Sequence, residues 1–364
     1  MNVVDQVAEH IRTLVPYVPG KPIEEVEREL GIKGVIKLAS NESPFEPSPK
    51  VLQAIKKAST SINRYPDGDC FYLREQLAKH LKVKSRQLIF GNGSDEIIVL
   101  VVRAFVAEGD EVILAKPSFL VYDIASRLAG AKIHAIALQD DFQYDLAAMK
   151  KAVTPKTKVI FLGNPDNPSG MYIAKKDMLD FLKDLSRDIV VLIDEAYFEY
   201  VKAADYGYSL ELLKTYKNVI VTRTFSKMYG LAGLRVGYGI ADEEMIDVLN
   251  RIREPFNVNS IAQVAAVACL KDQTYYKKVA ATVNAQRTYL YAQLKRLKLN
   301  FVKTCTNFIL IKTAQSGAEL MKKLMHKGVI VRDMGFWGLE NYIRVTIGTA
   351  SENKKFIRSL EELL

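Results

Sequence analysis

Five short apolar runs are the feature that most restricts the fold of this 364-residue chain. They are rich in valine, isoleucine and leucine, which is the composition of strands that are buried on both faces of a sheet. Helix-like segments separate several of them, an order typical of an α/β domain with a mostly parallel sheet. The runs lie at residues 112–115, 133–138, 159–162, 190–193 and 219–221.

Chemically useful side chains follow four of these runs. They are Phe119, Asn167 in a proline- and glycine-rich loop at 163–170, Asp194 with Tyr197, and Lys227. Because parallel strands place their sites at the carboxyl ends, we expect these side chains to surround one cleft.

Lys227 stands at the end of the last run, behind Thr224 and Ser226, with Arg235 eight residues further on. A partly desolvated lysine in such a position can form an imine with a carbonyl cofactor. An arginine fork and hydroxyl donors can hold the phosphate of that cofactor. The alternative is an ordinary surface lysine after a strand, and this segment alone does not decide between the two.

A second phosphate-binding candidate lies at residues 88–100, where a strand, a glycine loop and a helix follow one another. Gly91 and Gly93 allow a tight turn, and Ser94 and Asp95 would stand at the helix N-terminus. That end offers free N–H groups and partial positive charge to a phosphate. Ser or Asp at this position is also a common N-cap, so both interpretations stay open here.

The length of the chain predicts two domains, because it exceeds the size at which one hydrophobic core keeps growing. We expect an N-terminal arm at 1–35 that joins the small domain, a large domain at 36–245, and a small α+β domain at 246–364. The predicted strands of the small domain carry Arg332 and Arg344, which are either solvated or bound to a ligand anion. Tyr17 either anchors the arm or reaches the site.

Composition excludes several classes of function. The net charge of +9 is spread over helices of mixed charge, which indicates a solvated surface that attracts anionic substrates and argues against a nucleic-acid partner. No run is long and apolar enough for a membrane span, and the N-terminus lacks the pattern of a signal peptide. The three cysteines and four histidines lack metal-ligand spacing, so we predict no metal site and a cytoplasmic location.

Several separated segments together resemble the fold-type I, pyridoxal-phosphate-dependent aminotransferases, and among these the histidinol-phosphate aminotransferase family. The segments are PYVPGKP at 16–22, LASNESP at 38–44, RYPD at 64–67, VIVR at 329–332 and IRVTIGT at 343–349, besides the Lys227 region. The resemblance covers nearly the whole chain. It implies a large domain with a seven-stranded, mostly parallel sheet, a smaller α+β domain, pyridoxal 5'-phosphate as cofactor, and a homodimer with shared active sites.

The resemblance also implies a role for each site residue. Lys227 would bind the cofactor and move the proton at the α-carbon of the substrate. Asp194 would face the pyridine nitrogen, Asn167 and Tyr197 would hydrogen-bond the phenolic oxygen, and Phe119 would stack on the ring. The residues expected around the cofactor phosphate are Ser94, Asp95 through its backbone N–H, Thr224, Ser226, Arg235 and, from the other subunit, Tyr65.

The implied reaction, part of histidine biosynthesis, moves an amino group between glutamate and imidazole-acetol phosphate, giving 2-oxoglutarate and L-histidinol phosphate. Arg344 would receive the carboxylate of glutamate. The residues expected around the substrates are Tyr17, Asn41, Asn167, Arg332 and Arg344. Two alternatives stay open, an aromatic amino acid aminotransferase and a decarboxylase of a phosphorylated amino acid, because the sequence hardly encodes which bond to the α-carbon breaks.

Overall fold

The computed structural model of the chain describes residues 2–16 and 20–364. Its helices are α1 (Glu9–Arg12), α2 (Ile23–Leu30), α3 (Pro49–Ala58), α4 (Phe71–Leu81), α5 (Ser94–Phe105), α6 (Leu120–Leu128), α7 (Leu146–Lys151), α8 (Lys175–Lys183), α9 (Glu243–Ile252), α10 (Ser260–Lys271), α11 (Gln273–Arg296), α12 (Gly317–His326) and α13 (Ala350–Glu361). Its strands are β1 (Ile36–Lys37), β2 (Leu88–Gly91), β3 (Glu111–Lys116), β4 (Lys132–Ala137), β5 (Thr157–Gly163), β6 (Val190–Asp194), β7 (Val219–Thr224), β8 (Gly237–Ile240), β9 (Phe308–Lys312), β10 (Val329–Ile330), β11 (Arg332–Asp333) and β12 (Tyr342–Thr346). Within this described part, no helix is long and apolar enough to cross a membrane.

A seven-stranded sheet in the order β2-β8-β7-β6-β5-β3-β4 forms the centre of the large domain. The five predicted runs are β3 to β7, which pair in parallel, so the prediction of a mostly parallel sheet is confirmed. The two other strands are β2 at the edge of the sheet and β8, which runs antiparallel to both of its neighbours, β2 and β7. Gly237 and Gly239 allow α5 to pack closely on β8, because a Cβ on Gly237 would collide with the backbone nitrogen of Ser94.

The apolar runs are continuous because both faces of the sheet are covered. In β5, Val159 and Phe161 pack into one buried cluster, together with α5, α6 and α9. Ile160 and Leu162 point to the opposite face and join a larger cluster that includes side chains of α4, α8, α10 and α11. Burial on both faces keeps these strands fixed, and their carboxyl ends are therefore a rigid support for a site.

The small domain contains a three-stranded antiparallel sheet in the order β11-β12-β9 and a parallel pair of β1 with β10. The segment 329–332, predicted as one strand, is divided between β10 and β11, which belong to different sheets. Arg332 on β11 stands directly opposite Arg344 on β12. Because side chains at opposed positions share one face of a sheet, the two arginines are neighbours.

Packing also bears on the domain limits. The N-terminal part of the chain packs on the small domain, since Val26 of α2 shares a buried cluster with Ile330 of β10. Helix α9 lies against α5, and α10 lies against α3 and α4, whereas α11 reaches α13. We therefore propose that the large domain continues through α10, beyond the limit at residue 245 that the sequence suggests.

Candidate active site

One cavity of about 550 Å³ lies at the carboxyl ends of β5, β6 and β7, where the large domain faces β11 and β12. It brings together residues that are up to about 300 positions apart in the chain. The predicted site residues that line it are Asn41, Ser94, Asp95, Phe119, Asn167, Asp194, Tyr197, Thr224, Ser226, Lys227, Arg235, Arg332 and Arg344.

One predicted site residue that the structure describes, Tyr65, does not line this cavity. Tyr17 lies outside the residues that the structure describes. Tyr65 is 84% exposed and stacks on Phe256, with 4.8 Å between the ring centroids. Its place on the surface leaves the predicted contact with a second subunit as a proposal.

Lys227 points into the middle of the cavity. Its Nζ lies 3.5 Å from the backbone oxygen of Ser40 and 5.6 Å from the centroid of the Tyr197 ring. Burial, followed by the positive charge of Arg344, lowers the pKa of the Lys227 amine to about 8. A larger share of this amine is therefore neutral near physiological pH than for an ordinary lysine, and the neutral form is the nucleophile.

Asp194 is a buried carboxylate at the end of β6. It accepts hydrogen bonds from the hydroxyls of Tyr122 at 2.9 Å and Thr222 at 3.1 Å, and from the backbone N–H of Ala196 at 3.2 Å. All three donors are neutral, and burial raises the pKa of the Asp194 carboxyl to about 6. A cation placed against this carboxyl would stabilise its ionised form.

A group of polar side chains lines the cavity together with Lys227. The hydroxyl of Tyr197 accepts a hydrogen bond from Nδ2 of Asn41 at 3.0 Å, and burial raises the pKa of this phenol to about 12. Asn167 accepts a hydrogen bond from Arg344, which also donates to the backbone oxygen of Ala39 at 3.1 Å. The phenol stays protonated at neutral pH and has a proton to donate to a ligand oxygen.

The end of the cavity at α5 is suited to an anion. Gly93, with φ +88°, is the N-cap of α5. Because glycine has no side chain, it does not occupy the free N–H groups of this helix. A Cβ at this position would collide with the guanidinium of Arg235, so glycine permits the close approach. Arg235 lies 3.5 Å from the Oγ of Ser226 and 3.3 Å from a carboxylate oxygen of Asp95.

The other end of the cavity is formed by Arg332 and Arg344 together with Trp337. Their guanidinium carbons lie 5.2 Å and 6.0 Å from the indole ring, respectively. On the adjoining wall, Phe119 makes an edge contact with Tyr122 at 5.6 Å. The lysine therefore lies between two cationic ends of one cavity, with an aromatic side chain on its wall.

Tyr122 and Trp337 also line this cavity and were not predicted from the sequence. Tyr122 stands three positions after Phe119, the N-cap of α6, and this aromatic spacing was the available signal. Trp337 is the single tryptophan of the chain and lies between the two predicted arginines. Trp337 follows no predicted strand of the large domain, and Tyr122 lies within the helix that follows one.

Comparison with known proteins extends these findings. The family model described as aminotransferase class I and II matches residues 33–360. The chain is 48% identical over 362 residues to the histidinol-phosphate aminotransferase of Moorella thermoacetica, covering 99% of this chain and 94% of that relative. It is 44% identical over 356 residues to that of Caldicellulosiruptor saccharolyticus, with 98% and 99% covered. The solved histidinol-phosphate aminotransferase from Sinorhizobium meliloti, in complex with pyridoxal-5'-phosphate, matches with a TM-score of 0.90 and 28% identity over 99% of this chain and 98% of that chain. The predicted fold and family resemblance are confirmed.

Proposed function

Because the chain belongs to the class I and II aminotransferases, we propose that it uses pyridoxal 5'-phosphate to move the amino group of glutamate to imidazole-acetol phosphate. The products are 2-oxoglutarate and L-histidinol phosphate. The observation that carries this proposal is the partly buried Lys227 between two cationic ends of one cavity. One end suits the phosphate of a cofactor and the other suits the anionic group of a substrate.

The residues at the first end fit the proposed cofactor. The N-terminus of α5, the guanidinium of Arg235 and the hydroxyls of Thr224 and Ser226 form a donor set for a phosphate. Asp194, whose three donors are neutral, fits a protonated pyridine nitrogen, since that cation would stabilise the buried carboxylate. Phe119 offers a ring for stacking, as the resemblance implies. When bound, the cofactor supplies an electron sink for the bond that breaks at the substrate α-carbon.

Lys227 has two tasks in the proposed reaction. Its neutral Nζ would hold the cofactor covalently at the aldehyde carbon, with release of water, and burial favours this because it lowers the pKa of the amine to about 8. The same Nζ, when it is not bound to the cofactor, would be the general base that accepts the α-proton of the substrate and later returns it. Tyr197 and Asn167 line the same cavity as Lys227 and would bind the phenolic oxygen of the ring.

The second cationic end explains the choice of substrates. Arg332 and Arg344 are opposed on neighbouring strands, so Arg344 can take the side-chain carboxylate of glutamate, whereas both guanidinium groups together can take the phosphate of histidinol phosphate. Asn41 lines the same cavity, although its amide already donates to Tyr197. We propose that it shapes the substrate pocket through that contact.

The proposal includes a homodimer in the cytoplasm. Tyr65, exposed on its own subunit, would complete the phosphate site of the partner subunit. The three cysteines are free thiols, which suits a reducing compartment.

A half-reaction tests the proposed function. The purified enzyme, loaded with pyridoxal phosphate, is mixed with L-histidinol phosphate and, separately, with phenylalanine, while the absorbance of the bound cofactor is followed. We expect a rapid change with the phosphorylated amine alone. Equal changes with both would indicate an aromatic amino acid aminotransferase, and a response to neither would favour the decarboxylase.

Two substitutions test the roles of individual residues. Lys227→Ala should abolish turnover, whereas Lys176→Ala, at an exposed position on α8, should leave it unchanged. Arg332→Ala should raise KM for histidinol phosphate far more than KM for glutamate. Equal rises for both substrates would contradict the assignment of Arg332 to the phosphate.

A further inference from the structure

Trp337 connects the two arginines of the cavity to the large domain. It lies in the segment between β11 and β12, the strands that carry Arg332 and Arg344. The indole is only 6% exposed, and its Nε1–H donates a hydrogen bond to the backbone oxygen of Ser118 at 3.0 Å. Ser118 directly precedes Phe119 on the cavity wall, so this bond joins the two domains at the site.

A series of hydrogen bonds and chain neighbours connects Trp337 to Arg344 through the large domain. The Ser118 hydroxyl donates to the buried carboxylate of Asp166 at 2.8 Å. Asp166 precedes Asn167, which accepts a hydrogen bond from Arg344. The guanidinium of Arg344 also faces Trp337 directly, with 6.0 Å to the centroid of the indole ring. Because every member is held by its neighbours, the indole has one orientation relative to the arginines.

Both guanidinium groups lie within the range of a cation–π contact with this ring, Arg332 at 5.2 Å and Arg344 at 6.0 Å. Packing fixes the ring further, since Trp337 shares a cluster with Leu310 and Met334 of the small domain and with Leu120 of α6. A fixed aromatic face reduces the rotamer freedom of a long cationic side chain before the substrate arrives. Binding of an anion then requires less ordering of the side chains.

We propose that Trp337 is a positioning residue for substrate anions, which orients Arg332 and Arg344 against a ring that is anchored to the large domain. The inference rests on the proposed function, because that function assigns the two arginines to the substrate. Loss of the indole should raise KM for substrates with an anionic side chain. It should leave kcat nearly unchanged, because Trp337 does not contact the proton-transfer group at Lys227.

Steady-state kinetics on matched pairs of substrates tests this inference. Each pair differs in the anion, namely L-histidinol phosphate against L-histidinol, and glutamate against alanine. In Trp337→Leu we expect kcat/KM to fall about tenfold for the anionic member of each pair and less than about twofold for the other. Trp337→Phe keeps an aromatic face without the N–H donor, so its loss should be intermediate.

Phe336→Leu is the matched control, because Phe336 is an exposed aromatic residue in the same turn. It should resemble the wild type. A packing role alone would lower the unfolding temperature and reduce kcat/KM equally for both members of each pair, which would overturn the inference. If Trp337→Leu does not fold, Trp337→Phe decides, since an unchanged selectivity between the members of each pair would also overturn it.

A second readout does not depend on turnover. Trp337 is the only tryptophan, so the intrinsic emission of the enzyme reports on this position. Inorganic phosphate should change that emission in a saturable manner, and Arg332→Ala should weaken the response. If histidinol phosphate is no substrate of the wild type, the proposed function fails, whereas the comparison of glutamate with alanine still tests the role of Trp337.

Discussion

The buried ion pair beneath the site gives the sharpest test of how this structure is held. Arg223 on β7 and Glu195 at the end of β6 are 1% and 0% exposed, and the arginine Nε and Nη2 lie 2.8 Å and 2.7 Å from the same carboxylate oxygen. The guanidinium also lies over the ring of Phe198, with 3.6 Å to the centroid. Each residue adjoins a site residue, since Glu195 follows Asp194 and Arg223 precedes Thr224.

Arg223→Met should lower the free energy of unfolding by about 3 to 5 kcal/mol, because it leaves a buried carboxylate without its cation. We expect the lower part of this range, since Glu195 keeps the hydrogen bond from the hydroxyl of Tyr206 at 3.0 Å. The double variant with Glu195→Leu should recover much of the loss, because it removes the uncompensated charge as well.

Urea unfolding, followed by circular dichroism, measures these differences. The control is Arg296→Met, which breaks a pair with Glu361 of similar length, 2.6 Å, in which both side chains are about half exposed. That variant should lose no more than about 1 kcal/mol. If Arg223→Met were as mild as this control, or if the double variant recovered nothing, burial of the charge would not be the cause.

Three further predictions concern the site. Gly93→Ala should weaken the binding of pyridoxal phosphate at least about tenfold, measured by equilibrium dialysis. The added Cβ collides with Arg235, and the positive φ adds backbone strain of about 1–3 kcal/mol. Gly338→Ala, at φ +77° in open space, is the control that carries the strain without a collision. The rate of cofactor uptake by the apoenzyme should rise with pH and reach half of its maximum near pH 8, since the protonated Lys227 amine does not react. A midpoint near pH 10.5 would contradict the effect of burial on the pKa of this amine. Tyr122→Phe removes a hydrogen-bond donor to the Asp194 carboxylate, so it should lower the free energy of unfolding by about 1–3 kcal/mol at pH 7.5. The loss should be smaller at pH 5, which is below the Asp194 pKa of about 6. An equal loss at both pH values would refute this explanation.

The large domain could be predicted from the sequence because buried parallel strands have a strong signature. The runs that became β3 to β7 were recognised from apolar residues alone, and their ends differ from the observed strands by a few residues. Strand β8, Gly237–Ile240, carries no such signal. Its glycines are required by close contacts with α5 and β2, which are more than a hundred residues earlier in the chain.

Sheet topology also explains which site residues were found. Asp194 and Lys227 could be predicted because parallel strands bring their carboxyl ends together whatever the intervening sequence is. The donor to Asp194, by contrast, comes from Tyr122 on α6, 72 positions away, and depends on how a helix is rotated on the sheet. That rotation is set by packing between side chains, which local patterns do not contain.

The same distinction explains why charged residues lie next to the site and yet outside it. Successive residues of a strand point to opposite faces, so a chain that directs Asp194 and Thr224 to the cavity directs Glu195 and Arg223 away from it. These two charges stabilise each other in the interior, and their ion pair joins the ends of β6 and β7. The strand ends that carry the proposed cofactor residues are therefore joined by an ion pair that does not line the cavity. It follows that Arg223→Met should weaken cofactor binding as well as the fold, whereas the control Arg296→Met should change neither.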